Sequence, residues 1–102
     1  MKHFLVDIHY LLPFEQLTDI LPEHRAFLQT GYDMGILLMS GPKEPRTGGF
    51  VIARSESQAT LESFFENDPY KTKKVASHSF LEFNPVKFQP WLDDWIKGSL
   101  VT

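Results

Sequence analysis

Two short runs in this chain, Ile36-Leu37-Leu38-Met39 and Phe50-Val51-Ile52-Ala53, are apolar at every position. A strand on the surface of an antiparallel sheet alternates, apolar inward and polar outward, so strands that are apolar on both sides need a cover on both faces. A chain of 102 residues has little to spare for this, because a domain of that size buries only about 60–70% of the surface its unfolded chain exposes. The length supports one core, and a second copy of the chain is the simplest second cover. A homodimer is therefore expected. With 42% hydrophobic residues and nine Phe, the chain is too apolar to remain disordered.

The other segments fix the order of elements. Phe4, Val6, Ile8 and Tyr10 alternate with His3, Leu5, Asp7 and His9, the period of a strand. After Leu11-Leu12-Pro13, a short helical turn is expected within Phe14 to Ile20. Pro22 is suited to the first turn of a helix running to about Gly35, which buries Leu28, Tyr32 and their neighbours and stops at the glycine. The two apolar runs form a hairpin, the first ending at Ser40-Gly41-Pro42 and the second bounded by Gly48-Gly49 and Arg54. Ser55-Glu56-Ser57-Gln58 fits a capping box between Ser55 and Gln58. The second helix then buries Leu61, Phe64 and Phe65 and ends at Asn67-Asp68-Pro69, and Ser77 to Phe83 forms the fourth strand. The resulting β-α-β-β-α-β order predicts an α+β, ferredoxin-like fold: a four-stranded antiparallel sheet with both helices on one face. Residues 1–87 make this domain. Residues 88–102 form an aromatic tail in which Trp91, Leu92, Trp95 and Ile96 are spaced for a short docked helix begun at Pro90.

Charge and composition exclude several function classes. A net charge of −3 with scattered basic residues leaves no electrostatic footprint for nucleic acid. No cysteine is present, which rules out disulfides, thiol catalysis and cysteine-ligated metal and fits a reducing compartment. The first residues carry Asp7 and His9 where a signal peptide needs an apolar stretch, and no run approaches membrane-spanning length. The expectation is a cytoplasmic protein without nucleic-acid or membrane partners. His3, Asp7 and His9 share one side of the first strand but are strung out too far along it to enclose an ion, so no metal is expected. Gly41-Pro42 and Gly48-Gly49 do not open a helix and read as turns, and no cofactor is implied.

Topology brings candidate chemistry to one end of the sheet. The start of the first helix, the end of strand two and the end of the second helix meet there. That end gathers His24, Ser40-Gly41-Pro42 and Asp68, with Tyr10 at the exit of strand one. His24 in the first turn of its helix faces the positive end of the helix dipole, which favours a neutral ring able to accept a proton. A carboxylate from Asp68 on the far ring nitrogen would fix the tautomer and stabilise the cation formed, the arrangement of a general base. Taken alone, a histidine at a helix start is more often a solvated residue, and Asp-Pro more often a stop signal. The lysines from Lys71 to Lys74 read as a solvated loop near the same end.

The ordered set Glu23-His24-Arg25 with Phe27-Leu28, Gly35-Ile36-Leu37-Leu38-Met39-Ser40-Gly41-Pro42, Gly48-Gly49-Phe50 and Asp68-Pro69-Tyr70 resembles the YciI-like (YCII-related) family over about residues 2 to 87. That resemblance implies a dimeric ferredoxin-like α+β barrel with an active site built on a histidine and an aspartate, which fall on His24 and Asp68. It also implies acid/base chemistry on small ring compounds, since a relative acts as a dehydrochlorinase on a chlorinated hydroxyquinol. Tyr10, Ser40, Gly41, Pro42 and Tyr70 would line the substrate site. Many relatives carry an arginine three residues before the histidine. This chain has Leu21 there, and Arg25 is expected to point elsewhere on the helix. The expected function is thus a cofactor-free lyase, isomerase or hydrolase. A non-catalytic small-molecule-binding module, or a dimerisation module using the aromatic tail, are the alternatives.

Overall fold

In the computed structural model, which describes residues 1–98, the first strand β1 (Lys2–Tyr10) lies inside a four-stranded sheet of order β2-β3-β1-β4. It runs antiparallel to both β3 (Gly48–Ser55) and β4 (Ala76–Phe83), and β2 (Leu37–Pro42) pairs antiparallel with β3 at the far edge. The order and the antiparallel pairing are those expected for a ferredoxin-like α+β fold. Alternation in β1 sets the two faces. Phe4, Val6 and Ile8 are buried, Val6 between Val51 and Phe80, and Ile8 between Gly49 and His78.

Helix α1 (Leu21–Asp33) and helix α2 (Gln58–Phe65) cover that face. Gly31 lets α1 come close: a Cβ there would lie 2.7 Å from Leu37 and 2.8 Å from Phe64. The helix ends two residues before the expected Gly35, which takes a left-handed φ of 77° just beyond it. The capping box expected on Ser55 is not formed. Ser57 caps α2 instead, its Oγ accepting from the Thr60 amide at 3.1 Å. Ser55 is still paired with Lys2 inside β3, so its backbone is not free to open a helix.

The hairpin also reaches further than its apolar runs. Ser40, Gly41 and Pro42 belong to β2, pairing with Val51, Phe50 and Gly49, rather than forming the turn expected of them. Pro42 is tolerated because β2 is an edge strand, where a missing N–H interrupts no ladder. Gly48 is needed where β3 passes β1, because a Cβ there would sit 1.9 Å from the Ile8 carbonyl oxygen. Asn67-Asp68-Pro69 does interrupt the helix, and Asp68 then caps a further single turn, α3 (Pro69–Thr72).

The face of the sheet away from the helices carries exposed apolar side chains from three strands: Met39 at 54%, Phe50 at 42%, Leu81 at 53% and Phe83 at 44%. The tail forms a 3₁₀ turn over Pro90–Leu92 and one turn of helix, α4 (Asp93–Ile96). It docks on its own chain. The buried Arg54 donates to the Gly35 carbonyl at 2.8 Å and the Trp95 carbonyl at 2.7 Å, and Trp95 packs against the buried His3 ring. Trp91 stays exposed, and residues 99–102 of the expected tail lie outside the described residues. Among the described residues no helix is long and apolar enough to cross a membrane.

Candidate active site

The Asp68 carboxylate is fully buried at the start of α3 and is engaged by three donors. The Tyr70 amide donates to Oδ1 at 3.0 Å, which is the capping bond of α3. His24 Nδ1 lies 2.8 Å from the same oxygen, and His78 Nε2 lies 2.9 Å from Oδ2. Burial pushes the Asp68 carboxyl up, but the hydrogen bonds from His24 and His78, the charge on His24 and the Tyr70 amide outweigh it. The carboxyl is held below its ordinary value of 3.8. An anionic Asp68 accepts on both oxygens, so each imidazole presents an N–H to it. For His24 this fixes the proton on Nδ1 and leaves Nε2 as the nitrogen able to accept another.

His24 reaches this place because it lies in the first turn of α1, which turns its buried stripe of His24, Leu28 and Gly31 toward the sheet. Tyr70 lies flat on its ring, 3.9 Å between centroids at 8°, which holds the imidazole plane. The Tyr70 hydroxyl is buried beside Tyr10. Burial, with Tyr10 and Asp68 nearby, raises its pKa far above the ordinary 10.0, so it stays a neutral phenol.

A cavity of about 260 Å³ opens beside this assembly. His24 and Tyr10 line it, and so does the Ser40-Gly41-Pro42 stretch of β2. The Ser40 hydroxyl is oriented by a 2.6 Å hydrogen bond with the Tyr32 hydroxyl. Asp68 and Tyr70 do not line the cavity. They stand behind His24, one holding its edge and the other its face. The expectation that Arg25 points elsewhere is not met: Arg25 and Leu21 both line the cavity, because an opening this wide takes in adjacent turns of the first part of α1. Arg46, from the loop between β2 and β3, lines it as well. The lysines of the 71–74 loop are taken up in part by surface ion pairs, Lys71 with Glu66 and Lys73 with Glu23.

Two of these residues were not singled out in the sequence. His78 was legible in principle, since it shares the inward face of β4 with Ala76 and Phe80 and is a polar residue at a core position. Arg46 sits in a turn-rich segment where nothing local marks it. The His3, Asp7 and His9 set is divided among other contacts. His3 packs on Trp95, Asp7 pairs with Lys43 at 2.7 Å, and among the described residues no cluster of three or more His, Asp or Glu side chains could hold an ion.

No curated protein matches this sequence. Among solved structures, the chain superposes on 5-chloro-2-hydroxyhydroquinone dehydrochlorinase from Burkholderia phenoliruptrix AC1100, solved in complex with 2,5-dihydroxybenzoquinone, with a TM-score of 0.65. The match covers 85% of this chain and 93% of that one at 21% identity, a likeness of fold. The YCII-related domain matches residues 3–84, nearly the whole of the sheet and both covering helices, and the chain belongs to that family.

Proposed function

We propose that this protein is a cofactor-free acid/base enzyme of the lyase or isomerase type, acting on a small ring compound, with His24 as general base and Asp68 as its orienting partner. The observation that carries this reading is the 2.8 Å contact of His24 Nδ1 with a fully buried carboxylate, in a residue that also lines the cavity. In such a step Nε2 of His24 takes a proton from a substrate C–H or O–H. The electron pair left behind forms a new π bond. A leaving group departs with its own pair in an elimination, or the proton returns at a second carbon in an isomerisation. Either course is redox-neutral and needs no co-reactant. Asp68 stabilises the imidazolium formed, and its two further donors keep it anionic and fixed. Positioned proton transfer of this kind contributes about 10²–10⁴-fold in rate.

The likeness to a dehydrochlorinase supports the same reading, and its substrate is a direct probe. Purified protein is to be incubated with 5-chloro-2-hydroxyhydroquinone and with unchlorinated cyclic enols and lactones in deuterated buffer. Chloride release and deuterium uptake are followed. The proposal expects a turnover or exchange that His24→Ala abolishes while the fold is kept. It is falsified if His24→Ala retains the full rate. A ligand-binding module without chemistry would instead show ligand-induced stabilisation with no turnover.

The working unit proposed is a homodimer joined through the uncovered sheet face. Met39, Phe50, Leu81 and Phe83 form an apolar patch there that a second copy would bury.

A further inference from the structure

The cavity beside His24 is cationic inside an acidic protein. Its lining contains no carboxylate, and its formally charged members are Arg25 and Arg46, although the chain as a whole carries −3. The carboxylate of Asp68, held by His24, is fully buried and outside the lining. Neither guanidinium takes part in an ion pair or side-chain hydrogen bond among the described residues. By contrast Lys43, Lys71, Lys73 and Lys97 each hold a carboxylate within 3.0 Å. Arg46 is nevertheless held in place. Its guanidinium sits 4.3 Å from the centre of the Phe14 ring, and Phe14 stacks in turn on Tyr10. Stacking fixes the plane of the group while leaving its five N–H donors free. The lining also includes Ile8, Leu21, Leu28 and Val51, apolar surface of the kind that receives a ring.

Resting on the reading of His24 as a base at this cavity, we propose that the substrate is a small ring compound bearing a carboxylate. Arg46 and Arg25 bind that carboxylate, one from the β2–β3 loop and one from α1. Guanidinium forks match the planar carboxylate with paired hydrogen bonds, which a neutral amide of the same shape cannot return. The ring lies on the aliphatic wall and presents its reacting C–H to His24. The same two cations oppose the negative charge that spreads onto the ring as the proton leaves, so the binding group also serves the chemistry.

The test is binding of benzoate and benzamide to the full chain, followed by amide shifts in nuclear magnetic resonance. Benzoate is expected to move the signals of Ser40, Gly41 and Gly49 at the cavity, with benzamide far weaker. Arg46→Gln and Arg25→Gln are each expected to weaken benzoate by about 10–100-fold, the worth of a hydrogen bond to a charged group. Both side chains are exposed, so these variants keep the fold. His24→Ala should keep the preference for benzoate over benzamide. Equal binding of benzamide overturns the proposal, as does unchanged benzoate affinity in both arginine variants, or benzoate signals confined to residues outside the cavity. Failure of the base assignment would look different: benzoate would bind as expected, and no probe would exchange a proton in the presence of the enzyme.

Discussion

His78 Nε2 stands 2.9 Å from Asp68 Oδ2, on the carboxylate oxygen opposite the one that meets His24. One carboxylate thus joins two imidazoles that come from α1 and β4. Only the His24 side meets the cavity. The His78 side chain is 1% exposed, and its Nδ1 is buried without a hydrogen-bond partner among the described residues. In the proposed mechanism it is a positioning residue, holding the carboxylate against rotation so that Oδ1 stays on the His24 ring.

Replacing His78 with Phe leaves Asp68 Oδ2 buried and unsatisfied, a loss of about 1–3 kcal/mol of stability. Gln places an amide donor near the position of Nε2 and is expected to restore part of it. Beyond stability, His78→Phe should shift the His24 ring signals in nuclear magnetic resonance at fixed pH, and His78→Gln should bring them back toward wild type. His24 ring signals identical in all three proteins would show that His78 merely fills space.

Asp68→Asn keeps the cap on α3, since Asn caps as well as Asp. It removes the charge that, in the proposed mechanism, stabilises His24 after proton uptake. Turnover is expected to fall about 10²–10⁴-fold, and the melting temperature should fall as well, because an amide cannot accept on both sides from the donors that surround the carboxylate. The acid limb of stability should change too. The folded-state carboxyl lies below its ordinary 3.8, so the folded chain binds this proton more weakly than the unfolded one. Asp68 therefore contributes stability above pH 3.8 that is lost as pH falls through the lowered folded value. Denaturant unfolding followed from neutral pH down to pH values of about 2 should show a shallower acid decline in Asp68→Asn than in wild type.

Leu81 is 53% exposed on the open sheet face, facing Leu5 of β1 and far from His24 in the fold. Light scattering on wild type should return twice the 11.8 kDa chain mass. Leu81→Glu places a charge in the apolar patch and should shift the protein to the monomer mass while leaving the circular dichroism spectrum intact. Wild type eluting at a single chain mass at micromolar concentration would count against the paired assembly.

Gly48→Ala forces a Cβ to within 1.9 Å of the Ile8 carbonyl oxygen, a backbone atom that cannot swing away. Strands β1 and β3 must part locally, at a cost of about 1–3 kcal/mol or more. Gly41→Ala in the adjacent strand is the control, because a Cβ there meets nothing within 4 Å. Thermal melts should therefore separate the two alanine variants clearly. Equal melting temperatures would mean that the close approach at Gly48 is relaxed in solution.

Local pattern alone determined the order of elements. Alternation in Phe4 to Tyr10, the proline at the head of α1 and the glycine after it are readable because strand and helix periods are imposed by the backbone itself. Once that order is known, few chain paths remain, and one of them brings His24 and Asp68 to the same end of the sheet. The apolar open face was readable for the same reason, since it needs only the count of side chains pointing each way. What the pattern could not supply was how far one element runs against its neighbour. Ser40-Gly41-Pro42 looks like a turn and is a strand because β3 pairs with it, and Ser55 looks like a cap and is a strand residue because Lys2 holds it. His78 as the second imidazole on Asp68, and Arg46 and Arg25 facing one cavity, were decided by tertiary structure alone. They depend on distances between elements remote in sequence, and no local propensity encodes those.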